Sequence, residues 1–351
     1  MVRYKMISGF IMLVVLISLI YVYEHNETSQ KIIDWPLVEK KSEVKLKELP
    51  NEKLFNQQYT GSIYEWIGKT SDSLKREYGK PERQDLSAYG YEWWVYSDKD
   101  YYLQFGVEDG TIKTVYGTGD ISIEPFEIGQ TYKEINQDIA FIKEVSYLEK
   151  LNSYQFHLTD EEIKARPLIK LSQDVFIQLY FDTIKNQLSA IRVLTGDILL
   201  KHRPYEMMYR GHLPKVKELT DKEWRKVEKG MEKQIFDITN IFRKQFGVDH
   251  VSWDDNVSKV AYAHSKDMEN KQYFSHYRLD GSGLKERLQE KDVYYLVAGE
   301  NIAAQYPDAP SAMAGWLNSK GHREALLNKQ YTHLGVGVYR LYYTQNFLGK
   351  P

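Results

Sequence analysis

Cysteine is absent from all 351 residues, which removes disulfides, thiolate metal sites and a cysteine nucleophile together. Any metal must then rest on His, Asp or Glu. A surplus of either charge is also missing: 47 Lys and Arg stand against 49 Asp and Glu, so the chain has no general pull toward nucleic acid or acidic lipid. Long apolar runs are scarce, and the clearest covers residues 6–23, "MISGFIMLVVLISLIYVY", without a charge. As a helix it would span ~27 Å, about one hydrocarbon core. Arg3 and Lys5 precede it while Glu24 and Glu27 follow, which predicts a cytoplasmic N-terminus and an exported body. Bulky residues fill the place where a cleaved leader carries small ones, so the reading is an uncleaved single-pass anchor. A removed secretory leader is the alternative, and it exports the body just as well.

The rest divides by composition. Residues 1–25 hold the anchor, and 26–60 are polar and charge-rich, the pattern of a linker holding the body off the membrane. Two domains are expected beyond it, 61–205 and 218–351. Within the first, "IGKT" at 67–70 returns as "IGQT" at 128–131, and "TGD" at 118–120 returns at 195–197. Asp109-Gly110, between alternating apolar runs, is a favoured two-residue hairpin turn, and Asn186-Gln187 stands at the same distance before the second "TGD". Two copies of a helix followed by strands are predicted, the later one enlarged around "LNSYQFHLTDEEIKARP". The aromatic stretch "YGYEWWVY" suits a packed sheet or a sugar-binding face.

In the second domain Thr220 and Glu223 form the reciprocal pair that starts a helix. Trp224, Val227, Met231, Ile235, Ile238 and Phe242 then recur at three and four, giving one buried face, and Gly247 ends the run. A second helix after Asp255 places His264 on the apolar face of Val257, Val260, Ala261 and Met268. "HLGVGVYR" and "LYYTQNF" alternate as two strands. The domain is mixed and layered, helices first and strands mostly last.

His276, Glu300 and His322 are the side chains whose types carry chemistry. Two imidazoles and a carboxylate form a ligand set that zinc or another divalent metal accepts with one position open. Two histidines in one cleft could equally serve as acid and base. Their spacing is not that of a helical zinc motif, and a hydrogen-bonded structural role is the plainer alternative for each.

"AHSKDMENKQYFSH", "DGSGLKERLQE", "AGENIA", "GWLNSKGHREALLN", "HLGVGVY" and "YYTQNF" occur in this order. Together they resemble the bacterial branch of the CAP superfamily: cysteine-rich secretory proteins, antigen 5 and plant pathogenesis-related proteins. The resemblance spans about 228–348, and the preceding part resembles the CAP-associated domain of anchored and secreted proteins of Gram-positive bacteria. It implies an α+β protein: a C-terminal α-β-α sandwich preceded by a tandem-repeat α+β domain and a single N-terminal transmembrane helix. It also implies a cleft of two histidines and two acids. The histidines fall on His276 and His322 and the first acid on Glu300, while the second acid's place holds Ser319, preceded by Asn318. Asn301 is expected to fasten backbone beside Glu300, Gly299 to permit a close turn, and Trp316 to pack under the cleft. Arg323 is expected either to face an anionic ligand or to lie solvated at a helix end.

Three functions follow. The first is an envelope binding module whose cleft holds a metal and a wall fragment, lipid or peptide. The second is a metal-assisted hydrolase of peptides or envelope polymers, with Glu300 as third ligand or as general base. The third is a structural or signalling partner in the envelope whose cleft is vestigial and whose tandem domain makes the contacts, a reading that an exposed aromatic patch outside the cleft would favour.

Overall fold

The computed structural model describes residues 63–351, and the expected anchor and linker lie outside the described residues. Among the described residues no helix is long and apolar enough to cross a membrane.

The N-terminal half contains β1 (Arg83–Leu86), β2 (Glu92–Ser97), β3 (Tyr101–Glu108), β4 (Thr111–Gly119), β5 (Glu144–Glu149), β6 (Asn152–His157), β7 (Leu168–Lys170), β8 (Val175–Asp182), β9 (Gln187–Thr195) and β10 (Glu206–Arg210). Its helices are α1 (Ser71–Tyr78), α2 (Tyr132–Asp138), α3 (Asp160–Ala165) and α4 (Gly196–His202). Seven strands make one sheet in the order β1-β2-β3-β4-β9-β8-β7, and β10-β6-β5 make a second. The repeated markers take matching backbone contacts. Thr70 caps α1 and bridges Thr111, while Thr131 caps α2 and bridges Gln187. Gly68 N donates to Ile112 O at 2.9 Å, and Gly129 N to Leu188 O at 2.8 Å. Asp109 and Asn186 both adopt positive φ, as tight hairpin turns demand. The two hairpins meet where β4 pairs with β9. The extra length of the second half builds β5, β6 and α3.

The aromatic stretch is buried on both faces of the sheet. Tyr91 and Trp93 enter one core and Trp94 and Tyr96 another, so these four pack the sheet, while Tyr89 is only partly buried.

The C-terminal half runs α5 (Asp221–Gln245), β11 (Ser252–Trp253), α6 (Asp255–Asn270), α7 (Leu284–Gln289), β12 (Val297–Ala304), α8 (Ala309–Asn318), α9 (Lys320–Leu326), β13 (His333–Tyr339) and β14 (Tyr342–Gly349). The expected box is present at Thr220 and Glu223, and Val227, Met231, Ile235, Ile238 and Phe242 are buried along α5. Each such side chain contributes roughly 1.5–3 kcal/mol. The sheet order is β11-β13-β14-β12, which leaves β12 at an edge. Alternation along β13 explains the layering. Leu334, Val336 and Val338 join the core of α5, whereas Gly335 and Gly337 face α6 so closely that a Cβ on either would overlap its backbone. Ser258 and Ser265 of α6 donate to the Val336 and Gly337 carbonyls at 2.6 and 2.9 Å.

The halves are not joined by a thin seam. One apolar cluster contains Val95, Tyr116 and Tyr180 together with Val227, Met231, Met313 and Trp316. Across it Arg192 donates to Asp308 at 2.5 Å, both side chains buried, and Gln234 donates to Asp85 at 3.0 Å.

Candidate functional site

The edge strand β12 carries Glu300, whose side chain is only 4% exposed. Directly before α7 the chain forms the loop that holds His276, and α7 itself aims Arg287 inward. Arg287 Nη2 donates to Glu300 Oε2 at 2.5 Å, and its Nη1 to the His276 carbonyl at 2.9 Å. Glu300 Oε1 lies 3.0 Å from His276 Nδ1. A carboxylate accepts, so Nδ1 carries a proton toward Glu300, and Nε2 forms the opposite edge of the ring. His276 is about half exposed, which leaves that edge to solvent.

Beneath them His264 is fully buried, 4.0 Å from Glu300 Oε1. Arg287 Nη1 approaches its Nδ1 at 3.1 Å, and its Nε2 meets the Ser275 carbonyl at 3.0 Å. Nη1 is also 3.2 Å from Nε2, so the guanidinium lies against both ring nitrogens, while the Ser275 carbonyl, which only accepts, places a proton on Nε2. Burial, with Arg287 adding to it against the pull of Glu300, pushes His264 down to about 4.

On the other side, His322 of α9 pairs its Nδ1 with Ser319 Oγ at 2.9 Å. Ser319 therefore occupies the second acid's place and touches the histidine, but brings no charge. Burial, then the nearby charge of His276, lowers the His322 pKa. Asn301 donates to the His322 carbonyl at 3.0 Å and to Gln345 Oε1 at 3.1 Å. Trp316, 1% exposed, donates to the Ile302 carbonyl at 3.0 Å.

Two expectations need correction. Gly299 sits within β12 rather than in a turn, and its missing Cβ makes room for the Tyr331 hydroxyl. Arg323 is neither solvated nor turned toward a ligand: it donates to Asp182 at 2.8 Å and lies over the Phe246 ring. Asn318 likewise turns to the other half, accepting from Thr183 N at 2.8 Å and donating to Phe181 O at 2.8 Å.

Arg287 is the residue that inspection of chemistry-bearing types passed over, and the place of His264 under the carboxylate went unseen with it. A signal existed for the first, because Leu284, Arg287 and Leu288 share a helical face, and a cation on an apolar face needs a buried partner. Among the described residues no group of three His, Asp or Glu side chains is placed to hold a metal ion. Glu300 has both oxygens engaged, so the three-ligand set does not fit as arranged.

Residues 236–349 match the model of the cysteine-rich secretory protein family, CAP, and residues 67–205 match the CAP-associated N-terminal family. The membrane protein YlbC of Bacillus subtilis (strain 168) is 44% identical over 291 residues, covering 82% of this chain and 84% of the relative. The chain belongs to the CAP family. YkwD of the same organism is 36% identical over 121 residues, 34% of this chain and 47% of YkwD. Among solved structures, an extracellular SCP-domain protein from Bacillus anthracis str. Ames superposes with a TM-score of 0.79 at 40% identity, covering 90% of this chain and all of the other. A cysteine-rich secretory protein from Staphylococcus aureus subsp. aureus Mu50 gives 0.74 at 26% identity, with 83% and 94% covered. The site described above thus lies wholly in the CAP domain, and the seven-stranded sheet belongs to the CAP-associated domain.

Proposed function

We propose that this CAP-domain protein is a membrane-anchored, extracytoplasmic binding module of the cell envelope, with the His276 cleft as its ligand site. The observation that carries the reading is the locking of Glu300. A carboxylate held by a buried guanidinium on one oxygen and by an imidazole N–H on the other is poorly placed to accept a proton from water or to turn toward a metal. The hydrolase reading needs one of those two acts. Around that fixed polar group Phe274, Tyr277 and Leu279 flank His276 on its loop, each more than half exposed, and give it an apolar rim. Such a rim suits a wall fragment, lipid or peptide with apolar parts. It also sits at the cleft, whereas the purely structural reading asks for a patch elsewhere.

Zn2+ or another divalent metal would be held by His276 and His322, with Glu300 behind His276 as the carboxylate that orients the ring and raises its basicity. Bound there, it would supply a positive centre for an anionic or carbonyl group of the ligand. Export and anchoring rest on the sequence of residues 6–23 and accord with the membrane protein YlbC as a relative.

Equilibrium dialysis of the full chain against Zn2+ is expected to give about one ion bound, with affinity falling as pH drops through the imidazole range, since protons compete for the ligands. His276→Ala and His322→Ala should each abolish it. Metal uptake unchanged in both variants would overturn the metal assignment. Incubation with purified cell wall and with peptide libraries is expected to show retention without new chain ends. Cleavage products that vanish in Glu300→Gln would overturn the binding reading.

A further inference from the structure

A concave site lies away from the His276 site, between the two domains and under the connector 211–219. It encloses about 1100 Å³. Its charge is one-sided. Five Lys and Arg side chains line it against a single carboxylate, Glu218. Lys201 is neutralised by Glu108 at 2.7 Å and Lys217 by Glu223 at 2.8 Å. Among the described residues no carboxylate pairs with Arg166, Arg203 or Lys215. Arg166 is the telling one. Its guanidinium lies by the rings of Tyr205 and Tyr180 and donates to the Pro204 carbonyl at 3.0 Å, and its shielded Nε has no partner. Glu162 acts on the guanidinium through space without forming an ion pair, so its charge is only partly compensated where it is withdrawn from water. The remaining wall is apolar and flat, from Tyr89, Trp224 and Tyr306.

We infer that this interdomain groove binds a phosphate monoester carrying an apolar body. Three cations without an ion pair face one lining carboxylate, Glu218, with Glu162 acting on Arg166 from outside the lining, so the groove keeps a net positive charge. A phosphate monoester carries about −1.5 to −2 near pH 7 and offers three acceptor oxygens to the guanidinium forks, more charge and more acceptors than a carboxylate ligand brings. The aromatic wall accounts for the rest of the ligand. Neighbouring His202 adds no switchable charge, because burial holds it neutral down to about 3. The inference is independent of the CAP cleft, and each can fail alone.

Calorimetric titration of the full chain in detergent, at low ionic strength and pH 7, tests it with three probes: inorganic phosphate, phenyl phosphate and dioctanoyl phosphatidic acid. Phenyl phosphate is expected to bind at one site, more tightly than inorganic phosphate. Arg203→Gln and Lys215→Gln should each weaken it about five- to tenfold, while Lys226→Gln, which lies in a different groove, should not. Thermal unfolding of the variants checks that they remain folded. Tighter binding of the lipid, lost in the same variants, assigns the phosphate to a headgroup; tighter binding of phenyl phosphate assigns it to a soluble ester. No saturable binding of any probe, or equal affinity in parent, Arg203→Gln and Lys215→Gln, overturns the inference.

Discussion

Lowering the pH from 7 to 5 should remove about 4 kcal/mol of folding stability through two buried histidines. His202 sits between Arg192 Nη1 at its Nδ1, 3.3 Å away, and the Tyr91 hydroxyl at its Nε2, 2.9 Å away. His264 is buried against Arg287, whose Nη1 lies within 3.2 Å of both ring nitrogens, and the Ser275 carbonyl. Burial is the largest cause in each, opposed by a carboxylate and helped by the facing guanidinium, and it pushes His202 down to about 3 and His264 down to about 4. In the unfolded chain both take up a proton near ~6.5. Between those values the unfolded state holds more protons, so stability falls as pH falls through the window and is fully present above ~6.5. Between pH 7 and 5 each site contributes about 2 kcal/mol of that loss, against a typical total of ~5–15 kcal/mol. Urea denaturation of the full chain at pH 7, 6 and 5, followed by tryptophan fluorescence, measures it. His202→Gln lowers stability at every pH, but the informative quantity is its pH dependence, which should be shallower than the parent's by about 2 kcal/mol over this range. Parallel curves for parent and variant would show that His202 is not held neutral, and the clamping argument would be wrong for both sites.

Arg287→Met and Glu300→Gln should each cost about 3–5 kcal/mol, because each strands a buried charge. The double variant should recover most of that loss in denaturant titrations; additive losses would mean that the pair is not the unit described. Gly337→Ala places a Cβ on the backbone of Ala261 and Tyr262 and should cost about 3 kcal/mol or more. Gly299→Ala meets the hydroxyl and ring of Tyr331, a side chain that can shift as backbone cannot, and should cost less, about 1–2 kcal/mol. Equal shifts of the two in thermal unfolding would contradict the close fit of α6 on β13.

What the sequence made legible was local. The pair Thr220 and Glu223, the period of α5 and the Asp109-Gly110 turn are written within a few residues, where capping and twist decide the outcome. The CAP blocks likewise carried the family and pointed to His276, Glu300, Ser319 and His322. Partners distant along the chain were not legible. Nothing near Arg287 announces Glu300, and nothing near Arg192 announces Asp308, because strand order and domain docking bring them together. Arg323 failed for the same reason: it was read as facing a ligand or lying solvated at a helix end, while its partner Asp182 belongs to the other domain, as do Thr183 and Phe181, the partners of Asn318.

The junction of α8 and α9 has a practical result for anyone recombining these proteins. Consecutive residues there serve different masters, Asn318 gripping β8 of the CAP-associated domain and Ser319 touching His322. A chimera that exchanges one domain with a relative's would have to transplant the gripping surface as well, or the mismatch would reach the histidine across a single peptide bond.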